Sequence, residues 1–117
     1  LEAFAARWAA QPLFAGLPPD TAAAAHADRL RNDAVGLAAA LRGLGTGVME
    51  PVWHRLGELR VPVALLAGER DPKFLALGHR LAAALPAATL TVVPGAGHAL
   101  HLEAPEAVAA ALEPVAR

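Results

Sequence analysis

Asp71 and His98 are the residues whose types and positions most directly suggest chemistry. A carboxylate that accepts a hydrogen bond from an imidazole fixes the ring's tautomer. It also stabilises the imidazolium formed when the other ring nitrogen takes a proton. The two residues stand 27 positions apart, so only a defined fold can bring them together. The intervening stretch supplies one. Val61 to Ala67 is a short apolar run stopped by Gly68, and Thr89 to Val93 is a β-branched run stopped by Pro94 and Gly95. Between them, Phe74 to Leu85 carries Leu75, Leu81 and Leu85 at helical intervals and ends before Pro86. Strand, helix, strand predicts a right-handed crossover with the two strands parallel. Asp71 then follows the first strand and His98 the second, both at the carboxyl edge where α/β sheets place their sites. Neighbouring strands lie about 4.8 Å apart, within reach of a carboxylate–imidazole bond. Gly95 and Gly97 allow the backbone to fold the ring back over the strand ends. The spacing alone leaves a second reading open, in which Asp71 shapes a polar turn and His98 sits in a glycine-rich loop.

An acid–histidine pair needs something to activate, and the usual candidates are absent. The chain contains neither Ser nor Cys, the two commonest nucleophiles. Other titratable residues offer less. His26, His54 and His79 fall in expected helices and read as surface or partly buried side chains. His98, His101 and Glu103 form H-x-x-H-x-E in a loop, without the i, i+4 helical spacing of a metalloprotease site, so no metal is expected. Gly43-x-Gly45-x-Gly47 is not a nucleotide fingerprint, because Val48 stands where the third glycine belongs and a helix precedes it. Phe74 reads as core beside the acid turn, Lys73 as solvated and Arg70 as a surface residue.

Composition narrows the partners. The chain has 117 residues, with ten basic and eleven acidic residues and a net charge of −1. Nothing resembles a basic stripe, so no nucleic-acid partner is expected. No stretch has the apolar length of a membrane span and none reads as a signal peptide, so a soluble cytoplasmic location is expected. The hydrophobic fraction of 56% overstates the core, because about a quarter of the residues are Ala, which adds little buried area.

The elements are expected in two blocks. Residues 1–59 read as helical. Leu1 to Ala10 is a helix with Phe4 and Trp8 on one face, and Gln11 to Pro19 is a loop. Asp20 or Thr21 caps a helix running to about Arg31. Asn32 or Asp33 caps another running to Arg42, stopped by Gly43. Pro51 opens a short helix closed by Gly57. Residues 60–117 read as a parallel β-α-β-α unit, with Ala99 to Ala104 as a loop and a last helix from Pro105. Two strands make an incomplete sheet, so the chain is expected to be the carboxyl-terminal part of a larger domain.

Gly68 to Phe74 (GERDPKF) followed by Pro94 to Glu106 (PGAGHALHLEAPE) resembles the α/β-hydrolase fold. The resemblance implies that Asp71 and His98 are the acid and base of a Ser-His-Asp triad, whose chain order is Ser, acid, His. The serine would then lie in a missing amino-terminal half, and the helical block would be a lid. Phe4 to Pro18 (FAARWAAQPLFAGLP) and Leu30 to Gly47 (LRNDAVGLAAALRGLGTG) further resemble the 2-succinyl-6-hydroxy-2,4-cyclohexadiene-1-carboxylate synthase family of menaquinone biosynthesis. That family is a lyase family, and it implies elimination of pyruvate, a small-molecule carboxylate substrate and no cofactor. It also implies that Trp8 and Arg31 bind substrate. A planar guanidinium suits a carboxylate, to which it donates two hydrogen bonds. The alternatives are an ordinary serine hydrolase acting on an ester, and a fragment that is inert without its nucleophile.

Overall fold

The computed structural model describes residues 1–113. The chain divides into two compact units, Leu1–Pro51 and Val52–Arg117. The division falls upstream of residue 60 for a physical reason. The 3-10 turn Trp53–Glu58 packs on the helix of the second unit, with the Arg80 guanidinium 4.7 Å from the Trp53 ring centre. This 3-10 turn replaces the short helix expected from Pro51 to Gly57. Residues 114–117, the end of the expected second segment, lie outside the described residues.

The first unit is helical. Helix α1 (Glu2–Ala9) places Phe4 and Trp8 on one face, their ring centres 5.9 Å apart. Phe14, in the 3-10 turn Pro12–Phe14, joins them 6.1 Å from Trp8. Helix α2 (Pro19–Arg29) starts earlier than the capping residues suggested, and neither Asp20 nor Thr21 caps it. Pro19 explains this, since a proline at the first helical position has φ preset and needs no N–H partner there. α2 stops at Arg29, short of Arg31, where the Asn32 side chain donates to the Arg29 carbonyl at 3.0 Å. Asp33 caps α3 (Ala34–Leu44) by accepting from the Gly36 N–H. α3 runs through Gly43 and ends at Gly45, where a Cβ would strike the Leu41 carbonyl. Glycine tolerance is therefore needed at Gly45 and not at Gly43.

The second unit holds the sheet. Strands β1 (Val63–Gly68) and β2 (Ala88–Val93) are parallel and in register from Val63↔Ala88 to Gly68↔Val93. β1 starts at Val63 rather than Val61 because Pro62 has no N–H to give to a ladder. Helix α4 (Pro72–Ala84) joins the strands and packs on one sheet face. Gly78 allows that approach, since a Cβ there would come within 3.0 Å of Leu90 Cδ1. The turn after β2 contains a short helix, α5 (Leu100–Glu103), where the sequence suggested a loop, and α6 (Pro105–Leu112) follows. α6 packs against β1. Its Ala107, Ala110 and Ala111 line a concavity of about 550 Å³ with Val63, Thr89 and Thr91 of the sheet.

Gly68 ends β1 where the backbone of another turn approaches closely. A Cβ on it would collide with the carbonyl oxygens of Ala96 and Gly97. Both are backbone atoms, held in a turn that donates and accepts hydrogen bonds, so they cannot yield as a side chain would. Replacing Gly68 by Ala is expected to lower unfolding free energy by about 1–3 kcal/mol or more, the usual cost of overpacking. Urea denaturation of the variant checks this, with Gly43→Ala, which meets open space, as the tolerated comparison.

Candidate active site

The two turns at the carboxyl edge are tied to each other by backbone before any side chain is considered. The Glu69 N–H donates to the Val93 carbonyl at 3.0 Å and the Arg70 N–H to the Ala96 carbonyl at 2.9 Å. Glu69 also accepts the Gly95 N–H at 2.8 Å through its carboxylate. Gly95 has φ +65°, a left-handed conformation that glycine adopts without strain. It reverses the chain after β2 and sends His98 back toward the acid turn.

Asp71 is both a helix cap and an imidazole acceptor. Its Oδ1 accepts from the Phe74 N–H at 3.1 Å, which satisfies a donor at the start of α4. Its Oδ2 lies 2.7 Å from His98 Nδ1. The carboxylate is 5% exposed and the His98 side chain 28% exposed. Two partners thus fix both oxygens of a buried acid. An ionised carboxylate can only accept, so Nδ1 carries the proton and the basic lone pair is on Nε2. The Phe74 ring centre is 4.4 Å from that of His98, at an interplanar angle of 50°. Phe74 is therefore not the core residue expected from the sequence. It is partly exposed and walls one side of the imidazole.

Glu103 is the residue whose role sequence reasoning misses, since the one pattern it joins there is a metal-ligand spacing that does not fit. Its carboxylate instead accepts from the Gly97 N–H at 2.8 Å and the Ala99 N–H at 3.1 Å, one on each side of His98. Its side chain is 7% exposed, and Arg70 stands 3.9 Å away. The signal in the sequence is a Glu four residues after Ala99, readable as a reach-back cap only once α5 is known to be helical. Among the described residues no group of three acidic or histidine side chains is placed to hold a metal ion.

The two candidate residues of the helical unit have different surroundings. Trp8 lines a cavity of about 220 Å³ with Phe4, Arg29, Asn32, Leu37 and Leu41. Arg31 is not among the lining residues. Its side chain is 83% exposed and pairs with Asp28 at 3.3 Å. Arg29 faces the aromatic cluster, 5.4 Å from the Phe14 ring centre.

A parallel strand pair that ends in an acid turn and a glycine-framed histidine, preceded by a helical unit, defines the class. Residues 1–111 match the alpha/beta hydrolase family, and the chain belongs to that family. Within it, the chain is 43% identical over 108 residues to a Bacillus subtilis (strain 168) protein provisionally named 2-succinyl-6-hydroxy-2,4-cyclohexadiene-1-carboxylate synthase. That match covers 90% of this chain and 39% of the relative. The synthase of the same name from Salmonella paratyphi B is 36% identical over 110 residues, covering 94% of this chain and 42% of the relative. Among solved structures, MenH from S. aureus superposes with a TM-score of 0.89 at 31% identity, over 99% of this chain and 46% of that one. The chain spans about two fifths of the length of the curated relatives it matches.

The hydrogen bond between Asp71 and His98 has a direct spectroscopic consequence. The Nδ1 proton of His98 is expected far downfield in the proton NMR spectrum, in slow exchange with solvent. Asp71→Asn should remove that signal, because a neutral amide no longer selects the Nδ1–H tautomer. Its survival in the variant would contradict the assignment of the bond.

Proposed function

We propose that this chain is the lid and carboxyl-terminal segment of a 2-succinyl-6-hydroxy-2,4-cyclohexadiene-1-carboxylate synthase. In this reading residues 1–59 are the lid and residues 60–117 belong to the hydrolase core. The observation that carries it is the 2.7 Å bond between Asp71 and His98, in a chain whose relatives bear that name. The nucleophile position is filled by a serine from polypeptide outside these 117 residues, none of which is Ser. The reaction eliminates pyruvate from a cyclohexene carboxylate adduct, and the serine acts as a base toward carbon. No helix among the described residues is long and apolar enough to cross a membrane. A cytoplasmic location is part of the same reading.

Each residue then has a stated task. His98 Nε2 takes the serine proton and so raises the basicity of its oxygen. Asp71 holds the imidazole in the required tautomer and stabilises its charged form. Arg31 binds a substrate carboxylate. Its pair with Asp28 is solvent-exposed on both sides, and such pairs are worth little. A bidentate substrate carboxylate can therefore displace Asp28 at small cost. Trp8 supplies an apolar wall.

In the full-length enzyme, His98→Ala is expected to lower kcat on the synthase substrate by several orders of magnitude, on the order of 10⁴-fold. Arg31→Ala is expected to raise KM by roughly tenfold or more, the worth of a charged hydrogen bond, with a smaller change in kcat. Steady-state assays of pyruvate release check both. Near-normal turnover in His98→Ala would overturn the assignment. Efficient cleavage of a neutral ester, insensitive to Arg31→Ala, would replace it with an ester hydrolase.

A further inference from the structure

We infer that Glu103 is a positioning residue for His98, holding the imidazole at Asp71 by binding the N–H groups of Gly97 and Ala99, the residues before and after it. The inference rests on the proposed catalytic role of His98. It goes beyond that role by assigning a residue that no part of the triad pattern requires.

The geometry is specific. One carboxylate receives two N–H donors, Gly97 at Oε2 and Ala99 at Oε1, and His98 lies between them in the chain. With the Ala96–Gly97 and His98–Ala99 peptides both anchored to one planar group, the Gly97–His98 segment between them loses freedom to rotate. A carboxylate bond to an N–H is charge-assisted and roughly twice as strong as a neutral one. The side chain is 7% exposed, so solvent competes little for those oxygens. Gly97 is part of the device, since a Cβ there would come 3.1 Å and 3.2 Å from the two Glu103 oxygens. Glu103 gains its own position from α5. Its N–H donates to the Ala99 carbonyl at 2.9 Å, so one helical turn returns the carboxylate to the residues before it.

A helix cap alone would explain one bond to a donor at the start of α5. It does not explain the bond to Gly97, which lies ahead of His98 and outside the helix. The pair of bonds brackets the histidine, and the arrangement also reaches the acid turn. Arg70, the residue before Asp71, stands 3.9 Å from Glu103 Oε2. Glu103 therefore touches both turns whose separation sets the Asp71–His98 distance.

The test compares wild-type full-length enzyme with Glu103→Ala, Glu103→Gln and His98→Ala. It reads kcat and KM for pyruvate release, the His98 Nδ1 proton resonance and thermal unfolding. Glu103→Ala is expected to lower kcat by about 10²-fold, the effect of a misplacement near 1 Å, with KM unchanged and the Nδ1 signal broadened or shifted. Glu103→Gln should fall between, because its amide oxygen accepts one N–H while its NH₂ opposes the other. It carries the test if the Ala variant does not fold. Wild-type kcat in folded Glu103 variants, with His98→Ala inactive, would overturn this inference alone. So would a kcat that falls only with the folded fraction while the Nδ1 signal is unchanged. An active His98→Ala would instead overturn the catalytic reading beneath it.

Discussion

The close approach of Gly68 to the Ala96–Gly97 turn is the constraint on which the site depends. Parallel pairing in register ends with Gly68 opposite Val93, so the two chain exits are level. Any side chain at Gly68 would hold the histidine turn away from the acid turn. With that space closed, backbone bonds from Glu69 and Arg70 to Val93 and Ala96 knit the turns together. The side-chain bond between Asp71 and His98 is then a consequence of backbone geometry. It does not have to hold the turns in place by itself.

That arrangement lets one acid serve two purposes without conflict. Asp71 Oδ1 is committed to α4 and Oδ2 to the imidazole. The helix start fixes the carboxyl plane, and the fixed plane sets the direction from which the ring must approach. Burial strengthens both bonds, because water does not compete for either oxygen. Phe74 belongs to the same local economy of space: its N–H binds the acid while its ring covers the imidazole. The sequence GERDPKF thus codes a strand stop, a cap, a proline first turn and an aromatic wall within seven residues.

The helical unit is held differently. Its aromatic contacts join Phe4, Trp8 and Phe14, and many of its large apolar side chains, among them Val35, Leu41 and Leu44, are exposed. Its helices are set by local rules, a proline start for α2 and an aspartate cap for α3. Little of its apolar surface is used within the described residues.

Much of this molecule was legible in the sequence because the signals were local. The apolar and β-branched runs gave both strands to within two residues, the leucine spacing gave α4, and the pair Asn32 and Asp33 offered the cap of α3, which is Asp33. The order strand, helix, strand was enough to put Asp71 and His98 at one edge, since parallel strands must exit on the same side. The tertiary structure decided what depended on distant partners. Phe74 became a wall of the imidazole, not core, because the reversal at Gly95 carries His98 back against it. α5 and the role of Glu103 were hidden because the donors it binds are oriented only when the turn is already folded. Gly68 read as a mere strand stop, and its necessity appears only beside the carbonyls of residues 96 and 97. Sequence sets conformation one residue at a time, whereas a close approach between two turns belongs to neither of them alone.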